Sequence, residues 1–129
     1  MRSPVDSQEG CVGITYLASP YSHPSPAVRR RRFEQVVLAA AHLMRQGEVV
    51  FCPISHSHDI GIVLGEESSF EMWMDQDLPI LRACSNVKVL RLDGWEQSRG
   101  VSREIQEAFA CSIPISFVDF DPSWWGLAP

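Results

Sequence analysis

The sequence predicts an α/β fold of three layers, with helices on both faces of a mainly parallel sheet of four to five strands. Two observations lead there. Short apolar runs alternate with segments of helical periodicity along the chain, joined by brief connections, and this alternation implies parallel strands linked by right-handed crossovers. The 129 residues also fit one domain, enough to bury roughly two-thirds of the surface the unfolded chain exposes. The expected organisation is a flexible leader over 1–10, the folded domain over 11–121 and a tail over 122–129.

The elements follow in order. Val12–Leu17 is a short apolar run bounded by Ser19-Pro20 and reads as a buried strand. A loop rich in Ser, Pro and His leads to Pro26, which opens a helix at a position where its missing N–H costs nothing. That helix runs to about Gln46 and stops at Gly47, with Phe33, Val36, Val37, Ala40, Leu43 and Met44 expected to face the sheet. Glu48–Ile54 supplies a second strand. Ser55–Ser68 carries His56, His58, Asp59 and two glycines, and reads as a long irregular loop walling or covering a pocket. Phe70–Cys84 reads as a helix with Trp73, Asp77, Ile80, Leu81 and Cys84 along one side. Val87–Leu92 is a strand, interrupted in its apolar character by Lys88 and Arg91, and Asp93–Arg99 is a turn. Val101, Ile105, Ala108 and Phe109 then mark a helix, and Ile113–Phe120 a last strand. Trp124 and Trp125 in the tail are expected to pack on the domain or on a partner subunit.

Composition narrows the function classes. The apolar content of 45% and charged content of 21% are those of an ordinary globular chain. A net charge of −5 argues against broad nucleic-acid binding, which relies on clustered cations to neutralise phosphates. No apolar run is long enough to span a bilayer and the first ten residues are polar, so the expectation is a cytoplasmic protein with no membrane partner. Cys11, Cys52, Cys84 and Cys111 lie far apart without a Cys-x-x-Cys pair and read as small buried hydrophobes in a reducing compartment. His56-Ser57-His58-Asp59 has no further ligand cluster to complete a metal site, and neither metal nor cofactor is expected.

In an open parallel sheet the ligand crevice lies beyond the carboxyl ends of the strands. Three segments are expected to meet there: Tyr16–Ser25, Pro53–Ser68 and Asp93–Glu104. Glu104 lies at the flank of its helix's apolar face and near the helix start, where the positive dipole end favours an ionised carboxylate suited to nucleophilic attack. The alternative is a glutamate placed for the dipole alone. Asp77 sits on the inward stripe of its helix, where an acidic side chain needs a partner such as Arg82, or a function. Around Gly100, Ser98 and Ser102 offer hydroxyls at a helix start that can hold an anion. Arg29 shares the apolar stripe of its helix and is the member of the Arg29–Arg32 run expected to extend toward an anionic ligand. The other three read as a solvated face.

Read together, Tyr16-Leu17-Ala18-Ser19-Pro20-Tyr21, Asp75-Gln76-Asp77-Leu78, Leu92-Asp93-Gly94 and Ser98-x-Gly-x-x-x-Glu104-x-x-x-Ala108 resemble motifs of the nucleoside 2-deoxyribosyltransferase-like superfamily. Within it the chain is similar to small DUF1937-type domains, near the nucleoside 5′-monophosphate N-glycosidases. The resemblance implies a flavodoxin-like (Rossmann-like) fold. It implies Glu104 as the nucleophile at the anomeric carbon, Asp77 as the acid/base toward the leaving base, and Tyr16 in the sugar pocket. Ser19, Pro20, Arg29, Asp93, Gly94, Ser98, Gly100 and Ser102 are the expected substrate-binding residues.

Ser98 stands where transferases of free nucleosides tend to carry Asp. A serine there resembles the monophosphate-hydrolysing branch, because a hydroxyl can donate to a 5′-phosphate that a carboxylate would repel. Gln106 stands where the family commonly has Gly, and the first loop has no counterpart of the family's tight glycine turn. The expectation is an N-glycosidase or deoxyribosyltransferase-like enzyme acting on a small-molecule nucleoside or nucleotide, assembled as a homo-oligomer, a dimer or larger. Two alternatives use the same fold: a nucleotide-binding or sensing module without turnover, and a flavin-binding electron carrier.

Overall fold

A computed structural model of the chain describes residues 13–127; the expected leader, Cys11 and Val12 lie outside the described residues. Four strands, β1 (Ile14–Ala18), β2 (Val49–Phe51), β3 (Asn86–Leu90) and β4 (Ile115–Val118), form one sheet in the order β2-β1-β3-β4. Every pairing is parallel. Tyr16 lies opposite Phe51 on one side and Val87 on the other, and Val89 lies opposite Phe117. The charged interruptions of β3 are paired: Lys88 Nζ meets Glu48 at 2.6 Å, and Arg91, just past the strand, meets Asp119 at 2.9 Å.

Alternation along β1 separates the two layers that cover the sheet. Leu17 joins Val36, Ala39, Leu43, Leu90 and Trp124 on the face of α1 (Pro26–Arg45). Tyr16 and Ala18 join Leu78, Leu81, Val87, Val89, Val101 and Ala108 on the face of α3 (Phe70–Arg82) and α4 (Arg99–Ala110). These helices begin at serine caps. Ser25, Ser69 and Ser98 each accept a backbone N–H with the side-chain oxygen, from Val28, Met72 and Val101 respectively. The left-handed Gly47, at φ 94°, follows α1.

Several expectations are corrected. Residues 55–68 are not an irregular loop, because Pro53–Leu64 is a helix, α2, followed by a 3-10 turn over Gly65–Glu67. Cys52 is extended, Pro53 takes the first helical position, and His58 stacks on Phe33 of α1 with ring centroids 4.0 Å apart. Packing against α1 thus offsets the weak local helix preference of the His-Ser-His-Asp run. The buried stripe of α1 is Val36, Leu38, Ala39 and Leu43, while Val37 and Met44 are exposed. Apolar residues surround that helix from Val36 to Ala41, so the sheet's position chooses the stripe.

Phe109 is 82% exposed, because it lies eight residues after Val101, where a 3.6-residue repeat has carried it off the inward face. Cys52 and Cys84 are buried as expected, but Cys111, at the exposed end of α4, is not. Trp124 packs on the domain: it stacks on His42 at 4.6 Å and meets Phe120 edge-on at 5.2 Å, within a 3-10 segment over Pro122–Leu127. Among the described residues no helix is long and apolar enough to cross a membrane.

Candidate active site

Beyond the carboxyl ends of β1 and β3 lies a cleft of about 790 Å³. The expected segments meet in it: Ser19, Tyr21 and Ser22 after β1, Pro53 to Gly65 along α2, and Gln97 to Glu104 around the start of α4. The first turns of α3 add Phe70, Trp73, Met74 and Asp77. Its lining has two characters. Ile54, Ile62, Phe70, Trp73 and Met74 are apolar, whereas Ser19, Ser22, Gln97, Ser98 and the two acids are polar.

Asp77 and Glu104 come from different helices and line this one cleft. Glu104 is 4% exposed and Asp77 9%, so each carboxyl is largely removed from water. Burial pushes Glu104 up to about 8, reinforced by the negative charge of Asp77 and opposed by the hydrogen bond from Tyr16. Burial likewise raises Asp77 to about 6, opposed by His56. Tyr16, fully buried in β1, donates its phenolic proton to Glu104 Oε2. Burial and the two neighbouring acids raise the phenol's own pKa strongly, so it remains a proton donor.

Burial and the charge of Asp77 therefore work against the ionised Glu104 that was expected, and the Tyr16 hydrogen bond works for it. Glu104 is the sixth residue of α4, beyond the free N–H groups of the first turn, and a single phenolic donor does not offset full desolvation. Nor does Arg82 pair with Asp77; it pairs with Glu107 at 2.6 Å.

The other expected residues divide. Ser19, Arg29, Ser98 and Gly100 line the cleft. Arg29 is partly committed, since its Nη1 donates to the carbonyls of His23 and Pro24. Ser98 Oγ accepts from Val101 N at 3.2 Å, which leaves its proton free for a ligand. Gly100 opens on space, because a Cβ there would meet only Met74 Cε at 3.9 Å. Pro20 is fully buried and does not line the cleft; it is the floor of the β1 loop. Tyr16 likewise sits behind Glu104 and does not line it. Ser102 is exposed on the outer side of α4.

Asp93 and Gly94 do not join the carboxylates. They line a second cleft, of about 950 Å³, and serve Arg32. Arg32 donates Nη1 to Ser22 O and Nη2 to Asp93 O, both at 2.9 Å, tying the β1 loop to the β3 loop. Gly94 holds φ 84°, and a Cβ on it would come within 2.8 Å of Arg32 Nη2. Arg32 is thus a structural brace and not part of a solvated face.

Cleft residues outside the expected site set include Tyr21, Ile54, Ile62, Phe70, Met74 and Gln97, with His58. Tyr21 Oη lies 2.9 Å from His58 Nδ1. Met74 lies one residue after Trp73 on α3, and Tyr21 closes the Tyr16-to-Tyr21 motif without having been assigned a role. Among the described residues no cluster of three or more His, Cys, Asp or Glu is placed to hold a metal.

A family model described as a domain of unknown function, DUF1937, matches residues 13–119. A solved structure of a 2-deoxyribosyltransferase from the psychrotolerant bacterium Bacillus psychrosaccharolyticus is similar in fold. Its TM-score is 0.60 at 20% identity, over 83% of this chain and 72% of that one. No curated protein sequence matches the chain.

Proposed function

Because the chain belongs to the DUF1937 family and has a fold shared with a 2-deoxyribosyltransferase, we propose that it cleaves the N-glycosidic bond of a nucleoside or nucleoside 5′-monophosphate. The observation that carries this reading is the Asp77–Glu104 pair. Two buried carboxyls share one cleft, and their proton affinities are pushed to about 6 and about 8. Around neutral pH the pair holds one proton between them, which is what a nucleophile and a proton donor together require.

Tyr16 sets the division of roles. Its phenol satisfies Glu104 Oε2, so Oε1 is the oxygen free to form a bond with C1′. As that bond forms, C1′–N breaks and its electron pair stays on the base nitrogen, which takes the proton from Asp77. Water or a second base then displaces Glu104 from C1′, with Asp77 accepting a proton from the incoming group. The reactive arrangement has its proton on Asp77 and not on Glu104. The Tyr16 hydrogen bond favours this arrangement by stabilising the ionised form of Glu104.

The apolar wall of Ile54, Ile62, Trp73 and Met74 suits the base, and the hydroxyl of Ser98 with the open space at Gly100 suits a 5′-phosphate. Release of free base from a panel of nucleosides and their 5′-monophosphates tests the reading. Glu104→Ala is expected to abolish release while its circular dichroism and melting remain those of a folded protein. Full activity in that variant would end the assignment.

The alternative is a nucleotide-binding module without turnover. The observation in its favour is the burial that raises the proton affinity of Glu104. Saturable binding without base release from any of the panel would decide for it.

A further inference from the structure

The second cleft is not accounted for by the chemistry above. It shares Ser22, Gln97 and Ser98 with the first, and these are all polar. None of the apolar residues of the first cleft is shared. The two hollows therefore adjoin at these three residues, and a ligand with its base among Ile62 and Trp73 would reach the second by crossing Gln97 and Ser98.

What waits there is cationic and aromatic. Arg31, Arg32 and Arg91 line the second cleft against Asp93 and Asp119, an excess of positive charge on a chain whose net charge is −5. Asp119 is held by Arg91, with contacts at 2.9 and 3.1 Å, and Asp93 offsets one more cation, so Arg31 and Arg32 together leave one net positive charge for an anion. Trp125 is half-buried against Phe120 at 5.4 Å and carries the Arg31 guanidinium over its ring at 5.0 Å. An arginine and an indole stacked at a cleft edge form a platform that accepts a nucleobase. At about 790 and 950 Å³, each cleft is within the range of a site for one nucleoside-sized group.

We propose that the two clefts form one groove for a pyrophosphate-linked dinucleotide: one nucleoside lies at Asp77 and Glu104, the pyrophosphate crosses Ser98 toward Arg32, and the second nucleoside stacks on the Arg31–Trp125 pair. The inference rests on the reading of the first cleft as a nucleoside site and extends it to a longer substrate class. The cleavage step is unchanged, with the same C1′–N bond broken; the second nucleotide contributes binding only.

The test uses symmetric dinucleoside 5′,5′-pyrophosphates of the four common bases and the matching nucleoside 5′-monophosphates, titrated by calorimetry into the wild-type protein and into Arg31→Ala and Trp125→Ala. For at least one base the dinucleotide is expected to bind ten-fold or more tightly than its monophosphate. In both variants that ratio is expected to fall toward one. Equal affinity of dinucleotide and monophosphate for the wild type, or a ratio that survives both substitutions, overturns the inference. Base release is followed in parallel, so the two readings fail separately: Trp125-dependent binding without release rejects turnover and keeps the groove, and release with a ratio of one does the reverse.

Discussion

Replacing Glu104 by Gln isolates the energetic consequence of burying that carboxyl. In the unfolded chain a glutamate titrates near 4.5, and in the folded protein Glu104 titrates near 8. A raised folded pKa contributes stability that is complete below 4.5 and is lost as pH rises through 8, because only the folded state holds the proton in between. At 1.36 kcal/mol per unit the whole interval amounts to about 5 kcal/mol. Asp77, raised to about 6, overlaps its lower part.

The clean window is therefore pH 6 to 8. Glu48, Glu107 and Asp121 have lowered pKa values that act only in the acid range, and the raised Cys52 and Cys84 thiols act above the window. Within it the wild type should lose about 2 kcal/mol from Glu104 alone. A glutamine keeps an oxygen for Tyr16 to donate to but has no proton to release, so the variant's profile should be flatter by that amount. Any pH-independent cost of the substitution shifts its curve without changing the slope. Urea unfolding of both proteins at pH 6, 7 and 8 measures the difference, which corresponds to about 6–10 °C in melting temperature. Parallel curves for the two proteins would show that Glu104 is already ionised in the fold, and the assignment of the shared proton would be wrong.

Base release should follow a bell in pH, with limbs near 6 and 8 and a maximum between them; a plateau extending past pH 9 would exclude the singly protonated pair. Tyr16→Phe removes the hydrogen bond that lowers Glu104, so the alkaline limb should move to higher pH. The rate at pH 7 should fall about 10- to 100-fold, the worth of a hydrogen bond to a charged group. Gly94→Ala combines a φ of 84° with a 2.8 Å approach to Arg32 Nη2, and urea unfolding should register a loss of about 1–2 kcal/mol. Gly100→Ala has room in the fold and gains helix preference, so thermal stability should hold or rise. Its methyl would narrow the cleft, and KM for a monophosphate should increase about ten-fold in steady-state assays.

Much of the fold was legible because its signals are local. Pro26 after Ser25, Gly47 after a helical run, and Ser98 ahead of Val101 mark ends that the backbone needs wherever the segment lies in space. Apolar runs of strand length between such helices leave parallel pairing as the natural solution, and the observed order β2-β1-β3-β4 follows it. The carboxylates were legible for a related reason: an acid on or beside an apolar stripe is conspicuous at 3.6-residue spacing, and both Asp77 and Glu104 are buried where the stripes meet.

What the sequence determined by itself was the alternation of elements, their capped ends and the two acids brought toward the sheet, since each depends on neighbours a few residues away. The tertiary structure alone decided the rest. It made 53–64 helical by seating His58 on Phe33, chose which side of α1 is inward, and sent Asp93 and Gly94 to brace Arg32. It also decided that the proton affinity of Glu104 is raised, because desolvation depends on how completely the surrounding elements exclude water. That quantity is summed over residues from β1, α3 and α4, and no local pattern carries it.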